Sequence, residues 1–287
     1  MLSKFSSLLL LFAFTGYSFA TFAETNDPLS VSIRKAGKLN VALASVPPYQ
    51  VVSPKGEATG STVDLENMVL KSMGLPALTP AFTEWTAMIP GLVTNRFDYV
   101  GAGLIISEQG CKAVVYSAPI SAAQTGMYVL SGNPKHLTSI ADVAHRPDVK
   151  LSTIPGANSS SSYLGYLLTQ GVKPEQIVNV PDTQAGVATV IGGRVDAFVI
   201  GQFTIPNPEQ KALEVVVDKG SPVVGVALAF RKEDIRFRDA VNEHLIPLLR
   251  DGTIQKLYAK YGIPNGDAVA KLIAPFNKAS DLVPGCE

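Results

Sequence analysis

The segment 84–120 reads EWTAMIPGLVTNRFDYVGAGLIISEQGCKAVVYSAPI, and it predicts the basic structural unit of the chain. Apolar residues from Met88 to Val93 have helical spacing, and Thr86 just before them is a candidate N-cap. The apolar run Tyr99–Gly103 predicts a short buried strand, with a loop following it as far as Gly110. The segment therefore predicts a helix, a turn and a strand.

The same order recurs in the second half of the chain. Asp182 or Thr183 can cap a helix that ends at Gly192, and a strand then runs to Ile200. The units TNRFDYVGAG and GGRVDAFVIG are thus alike. Ligands in α/β proteins bind beyond the carboxyl ends of strands, so two facing units would put 103–106 and 201–203 on opposite walls of one cleft. The alternative is two ordinary βαβ units of a single sheet.

Composition narrows the classes of partner. The 287 residues carry 24 basic and 24 acidic side chains, so the formal net charge is zero. Because basic and acidic side chains are equal in number, the chain has no excess of positive charge with which to bind nucleic acids or anionic membranes, and we expect neither as a partner. Length and an apolar fraction of 46% fit one large or two smaller globular domains.

The N-terminus predicts export. Lys4 gives the N-terminal region a positive charge, and Leu8–Phe14 form an apolar core that is too short to span a bilayer. Small residues favour cleavage after Ala23, and cleavage after Ala20 is the second choice. Residues 1–23 are therefore predicted to be a signal peptide, and the mature protein is expected to be soluble.

Cys111 and Cys286 are the two cysteines. In an exported protein an even count favours one disulfide bond, and two free buried thiols are the alternative.

Three positions could contact a ligand. Tyr49 follows two prolines at the end of a predicted strand, and Trp85 begins a helix, so both could form walls of an apolar slot. Asn158-Ser159-Ser160 lie between a strand and a helix, where backbone N–H groups and hydroxyls can bind an anion or a carbonyl. The alternatives are core aromatic residues and a merely capped helix.

Sequence signatures of common enzymes, G-x-S-x-G, H-E-x-x-H, the P-loop and G-x-G-x-x-G, are absent, and the three histidines lack metal-ligand spacing. We expect no cofactor and no metal. Glu84 and Glu108 are carboxylates near the predicted cleft that could act as a general acid or base.

Taken together, several segments resemble the family-3 periplasmic solute-binding proteins of ABC importers. The matching segments are Pro47-Pro48-Tyr49, Gly60-x-x-Val63-Asp64-Leu65, 84–92, both R-h-D-h strands (h, apolar), Tyr116-Ser117-Ala118-Pro119, Arg231-Lys232-Glu233-Asp234 and Asp251-Gly252-Thr253…Tyr258-x-Lys260-Tyr261-Gly262. The resemblance implies an α/β, two-lobed periplasmic-binding-protein fold of type II, with a mixed sheet flanked by helices in each lobe. It implies lobe 1 from 24–121 plus 226–287, lobe 2 from 122–225, and two crossing strands between them. It also implies a small polar solute as ligand, one that resembles an amino acid or a compatible solute, together with an inner-membrane ABC permease as partner, a monomer and a periplasmic location.

Within this family the chain is most similar to ectoine- and hydroxyectoine-binding members, which share E-[aromatic]-x-A-M-I-P-G-L and the two cysteine positions. It departs from the family at the ligand contacts. Amino-acid binders usually have an arginine at the position of Gly110 and an acid at the position of Gly201. Ectoine binders also have an acid at the position of Val46 and an aromatic residue at Ile105. The predicted slot therefore consists of Tyr49, Trp85, Leu104 and Ile105, with Asn158, Ser159, Ser160 and Gln202 as neutral polar contacts.

These departures favour a less charged or more apolar solute than an ordinary α-amino acid, since glycine cannot replace a bidentate arginine contact. The resemblance leaves two other functions open. A periplasmic enzyme of the dehydratase kind on the same scaffold would use Glu84 or Glu108. A sensor or adaptor of a signalling protein would use the same lobes.

Overall fold

The structure, a computed structural model, describes residues 27–155 and 162–286. Helices in these ranges are α1 Pro28–Ala36, α2 Ser61–Ser72, α3 Trp85–Val93, α4 Glu108–Ala113, α5 Ile140–Ala144, α6 Tyr163–Thr169, α7 Thr183–Ile191, α8 Ile235–Arg250, α9 Thr253–Lys260 and α10 Gly266–Ile273. Strands are β1 Leu39–Leu43, β2 Val51–Val52, β3 Ala58–Thr59, β4 Leu78–Phe82, β5 Tyr99–Ile105, β6 Val114–Tyr116, β7 Ser121–Ala123, β8 Thr125–Leu130, β9 Leu151–Thr153, β10 Ile177–Asn179, β11 Ala197–Gly201, β12 Leu213–Val217 and β13 Val224–Arg231.

The first sheet is mixed and has the order β4-β1-β5-β13-β6, with β7 also paired to β13. Strand β1 is parallel to β4 and β5, and β13 is antiparallel to its neighbours. Val41 and Leu43 face one core cluster while Ala42 and Ala44 face another. Helices α2, α8, α9 and α10 cover the first face, and α3 with the C-terminal tail covers the second. Because both faces are buried, β1 is a continuous apolar run.

The second sheet has the order β10-β9-β11-β8-β12. Strands β9, β10 and β11 are parallel, and β8 runs antiparallel to β11 and β12. Residues of β8 alternate between two core clusters, with Met127 on one face and Tyr128 on the other. This sheet is therefore also a mixed sheet between two layers, and the predicted α/β fold with two mixed sheets is confirmed.

The two helix–strand units predicted from the repeat pack in the same way. Helix α3 precedes β5 in the first sheet, and α7 precedes β11 in the second. In each unit a helix glycine rests on a phenylalanine ring. A Cβ atom on Gly91 would overlap the ring of Phe97, and one on Gly186 would lie 2.5 Å from the ring of Phe198. Only glycine therefore allows the helix to approach the sheet so closely in either unit.

Two chain segments connect the sheets, and they lie side by side. Strand β7 leads into β8, and β13 returns to the first sheet, with Ala123 paired to Val224 in antiparallel register. The Ser221 hydroxyl accepts a hydrogen bond from the backbone N–H of Thr125 at 2.9 Å. The predicted lobe boundaries, 121/122 and 225/226, fall within these segments.

Several local predictions were wrong. Helix α3 begins at Trp85 with Glu84 as its N-cap residue, so Thr86 lies inside the helix. Strand β5 extends to Ile105, and α4 begins at Glu108, so the predicted loop from 104 to 110 is reduced to residues 106 and 107. Helix α10 and strand β12 were not predicted at all.

The Cys111–Cys286 disulfide bond is present, as predicted, and joins positions 175 residues apart. It fixes the C-terminal tail at α4. Val283 and Cys286 of the tail belong to the same buried cluster as Met88 and Leu92 of α3. The tail is thus part of the core of the first sheet. No helix within 27–155 and 162–286 is long and apolar enough to cross a bilayer.

Candidate functional site

A cavity of about 600 Å³ lies between the two sheets, where the β5 and β11 units face each other. From the first sheet side it is lined by α3, the end of β5 and the start of α2, and from the second by β11 and the start of α7. Helices α2, α3 and α7 direct their N-termini toward the cavity, and strands β5 and β11 direct their carboxyl ends toward it. The cavity therefore lies where the repeat predicts it, and not within a single sheet.

Four of the predicted ligand contacts, Tyr49, Trp85, Leu104 and Ile105, line this cavity. Gln202 is not among the lining residues, although its neighbour Phe203 is. The backbone N–H of Gln202 donates to the carbonyl oxygen of Gln124 at 3.0 Å. The predicted contacts Asn158, Ser159 and Ser160 lie outside the residues that the structure describes.

Aromatic residues from distant parts of the sequence complete the walls. They are Tyr116, Tyr163, Phe203 and Tyr258. Phe203 belongs to the segment 201–203 that was predicted to form a cleft wall. The other three were not predicted, because their only local signal was an aromatic side chain near the end of a strand or on a helix. With Tyr49 and Trp85, they give the cavity broad apolar surfaces that carry hydroxyl groups at their edges.

Tyr116 explains why position 110 is a glycine. A Cβ atom on Gly110 would overlap the Tyr116 hydroxyl oxygen. That hydroxyl donates a hydrogen bond to the carbonyl oxygen of Ile105 at 3.1 Å. Burial raises the pKa of Tyr116 to about 12, so the phenol stays neutral. A neutral tyrosine therefore occupies the space into which a longer side chain at position 110 would extend.

A tyrosine has the same relationship to Gly201 on the opposite side. A Cβ atom on Gly201 would lie 2.6 Å from the hydroxyl oxygen of Tyr163 and 3.1 Å from the side chain of Ala123. Burial also raises the pKa of Tyr163, which keeps this phenol neutral. Both glycines that depart from the family pattern thus adjoin an uncharged phenol.

The described walls of the cavity carry almost no charge. Asp182 is the one charged residue among them, and no lysine, arginine or histidine lines the described part of the cavity. Asp182 is exposed, and its carboxylate accepts a hydrogen bond from the backbone N–H of Ala185 at 2.7 Å, which caps α7. Residues 156–161, which the structure does not describe, contain no ionisable side chain either. A ligand carboxylate would therefore find no cationic partner on these walls.

The two carboxylates considered for catalysis lie elsewhere. Glu84 and Glu108 are exposed, and neither lines the cavity. Within the described ranges, no group of three His, Cys, Asp or Glu side chains could hold a metal ion. The polar groups available to a ligand are mainly hydroxyls and carboxamides, which bind and orient molecules by hydrogen bonding.

Tyr49 joins the two sides of the cavity. Its hydroxyl donates a hydrogen bond to the carbonyl oxygen of Phe203, which follows β11 of the second sheet. Its ring packs edge-on against Tyr258 of α9, with centroids 5.8 Å apart. Tyr258 in turn shares a hydrogen bond with Ser121 at the start of the connecting segment. The same aromatic cluster thus lines the cavity and connects the two sheets.

Comparison with known proteins gives consistent results. The family model for bacterial extracellular solute-binding proteins, family 3, matches residues 39–264. A "probable amino-acid ABC transporter periplasmic-binding protein" of Sinorhizobium fredii is 30% identical, over 80% of this chain and 78% of that protein. The L-cystine-binding protein of Escherichia coli is 25% identical, over 86% of this chain and 90% of that protein.

Solved structures agree with the sequence relatives. EhuB in complex with hydroxyectoine superposes with a TM-score of 0.75 and 30% identity, covering 90% of this chain and 98% of EhuB. An ancestral amino acid-binding protein described as a precursor of cyclohexadienyl dehydratase gives a TM-score of 0.68 and 28% identity, covering 80% of this chain and 98% of that protein.

Proposed function

Because the chain belongs to family 3 of the bacterial extracellular solute-binding proteins, we propose that its cavity captures a small solute without a free carboxylate and delivers it to an ABC permease. The family relationship covers most of the chain, and the relatives are named as binding proteins and not as enzymes. The near absence of charge on the cavity walls carries the proposal for the solute.

The charge argument rests on desolvation. A carboxylate transferred from water into a mostly apolar cavity loses favourable hydration, and it needs a cation or several donors in compensation. The described walls offer no cation, and their one acidic group, Asp182, would repel an anion. Some relatives are named for amino acids, cystine or histidine, so this chain would differ from them in the ligand's charged groups.

The aromatic walls supply the affinity. Trp85, Tyr49 and Tyr163 line the cavity together with the apolar side chains Leu104 and Ile105. A cavity of about 600 Å³ is within the range of pockets that enclose small organic ligands. Such walls favour a solute with a flat or apolar body and a few neutral polar groups. Asn158, Ser159, Ser160 and Gln202 remain proposed polar contacts.

We propose the two lobes as 24–121 plus 226–287 and 122–225, closing on the solute by a hinge motion at the connecting segments. Residues 1–23 act in this proposal as a cleaved signal peptide, the mature protein is a periplasmic monomer, and its partner is an inner-membrane permease. The relatives that carry "periplasmic" in their names support the location.

An enzyme is the second candidate, because a structural relative is described as the precursor of a dehydratase. The geometry favours it less, since Glu84 and Glu108 are exposed and outside the described cavity walls. Unchanged solute after prolonged incubation with the protein would support binding alone.

The test combines identification of the ligand with controlled competitors. We expect mass spectrometry of solute released from the purified protein to detect a molecule without a free carboxylate. The fluorescence of Trp85 should change with that molecule, and it should not change with glutamate, arginine or hydroxyectoine at the same concentration. Micromolar binding of glutamate would overturn the proposed solute class.

A further inference from the structure

We infer that Gln50 and Ser61 form a hydrogen-bonding subsite that recognises a neutral N–H or O–H group of the solute. This inference rests on the proposed function and deepens it. Both residues line the cavity, and both are almost completely buried, with 3% and 2% of their surface exposed. Each side chain also carries an oxygen atom that has no hydrogen-bond partner among the described residues.

The backbone brings the two residues together. Residues 49 and 50 cross the start of α2, where the N–H of Thr62 donates to the carbonyl oxygen of Tyr49 at 2.9 Å. Gly60 has a φ of +128°, and a Cβ atom there would lie 2.8 Å from the Cα atom of Gln50. Only glycine permits this approach, so Gly60 sets Ser61 beside Gln50.

The orientation of the Gln50 amide is fixed. Its Nε2 group donates a hydrogen bond of 2.7 Å to the carbonyl oxygen of Ala102, which also lines the cavity. Its Oε1 atom is the part of the amide that is left without a hydrogen-bond partner among the described residues. Ser61 is the first residue of α2, and its hydroxyl can accept or donate.

Unpartnered buried oxygens occur elsewhere in the described chain, but not on the cavity wall. The others belong to Asp27, Ser30, Glu66, Thr125 and Gln255, and none of these residues lines the cavity. An unpaired buried polar atom destabilises the folded protein, and a ligand that supplies the missing hydrogen bond removes that cost. Two such atoms on residues that line the same cavity are the observation from which we infer the subsite.

The chemistry of the pair defines the ligand group. Oε1 of Gln50 requires a donor, and the Ser61 hydroxyl can pair with a second donor or with an acceptor. A primary carboxamide or an alcohol satisfies both residues. A carboxylate lacks the donor, and a cation would lie in a wall segment without a compensating charge. The subsite thus selects neutral hydrogen-bonding groups.

The first part of the test needs no ligand. Ser61→Ala removes an unpartnered hydroxyl, so the ligand-free variant should keep the wild-type Tm or exceed it. Ser30→Ala is the matched control, because Ser30 is also a buried residue in a first helical turn with an unpartnered hydroxyl, and it does not line the cavity. A clear loss of Tm in Ser61→Ala alone would mean that this hydroxyl has a structural partner, and it would overturn the inference.

The second part compares benzamide with acetophenone, which have the same ring but differ in the N–H donor. We expect benzamide to bind the wild type at least tenfold more tightly by calorimetry. Ser61→Ala and Gln50→Met should reduce this preference, and Ser30→Ala should retain it. Equal binding of the two probes, or an unchanged preference in Ser61→Ala, would overturn the subsite and leave the proposed function standing. The proposed function fails separately if the solute released from the protein carries a free carboxylate.

Discussion

The hydroxyl group of Tyr49 donates a hydrogen bond to the carbonyl oxygen of Phe203, although 154 residues separate them. Tyr49 follows β1 of the first sheet, and Phe203 follows β11 of the second, so the bond spans the two sides of the cavity. Burial raises the pKa of Tyr49, which keeps the hydroxyl protonated and able to donate. One side chain therefore lines the cavity and holds its two sides together.

Tyr49→Phe should favour a more open ligand-free protein, because it deletes this bond and leaves the ring in place. We expect a larger radius of gyration by small-angle X-ray scattering and an affinity loss of about 0.5–1.5 kcal/mol, the net worth of one hydrogen bond. Tyr261→Phe is the control, because the Tyr261 hydroxyl donates to Asp64 at 2.8 Å. Both residues belong to the half of the protein that contains the first sheet, so this bond does not cross the cavity. Equal scattering from Tyr49→Phe and the wild type would contradict the prediction.

Trp85→Ala should weaken solute binding by roughly 1–3 kcal/mol, because it removes a large aromatic wall of the cavity. Calorimetric titration with the solute released from the wild-type protein measures the loss. Phe82→Ala is a matched control, since Phe82 is an aromatic residue at the end of β4 that is 58% exposed and does not line the cavity. Wild-type affinity in Trp85→Ala would remove this residue from the site.

Gly110→Ala should destabilise the fold by about 1–3 kcal/mol, because the added methyl group would overlap the Tyr116 hydroxyl. Tyr116→Phe removes that oxygen and its hydrogen bond to Ile105. The double variant should therefore lose less stability than the sum of the single variants, as measured by urea denaturation. Gly220→Ala is the control, since its methyl group would make an ordinary contact at 3.4 Å. Strict additivity would show that the two positions are not in contact.

Glu66 should make the free energy of unfolding fall as pH rises, which is the opposite of the usual effect of a carboxylate. Its side chain is buried on α2, accepts a hydrogen bond from Tyr99 at 2.7 Å, and has its pKa raised by burial from 4.5 to about 8. The folded protein then binds more protons than the unfolded chain between about pH 4.5 and about pH 8. The contribution of Glu66 to the free energy of unfolding therefore falls as pH rises through this range.

Glu66→Gln should remove that slope, so the stability difference between the variant and the wild type should move in favour of the variant from pH 5 to pH 8. Urea denaturation at several pH values measures the difference. Glu57→Gln, an exposed position, controls for the general effect of removing a carboxylate. A difference that stays constant over the whole range would show that Glu66 is ionised in the folded protein.

Much of the fold follows from local sequence patterns. Strand β5 begins at Tyr99, as its apolar run predicts, and helix α7 has Asp182 as its N-cap and Gly192 as its C-cap, as the local pattern predicts. The unpredicted strand β12 is an antiparallel neighbour of β8, a pairing between positions far apart in the chain. Helix α10 was missed although it has a local signal, since its buried residues Val269 and Ile273 have helical spacing. Local propensity is a weak guide where distant contacts stabilise an element.

For the cavity, residue patterns predicted the repeated helix–strand unit and the aromatic residues Tyr49 and Trp85, and the family resemblance identified the uncharged positions Gly110 and Gly201. The side chains that occupy the space beside those glycines are known only from the folded chain. The hydroxyls of Tyr116 and Tyr163 fill it, and Gln50 and Ser61 line the same cavity. The physical reason is distance along the chain: periodicity reports which face of an element is buried, but the partner across that face comes from another element, which only packing brings into contact.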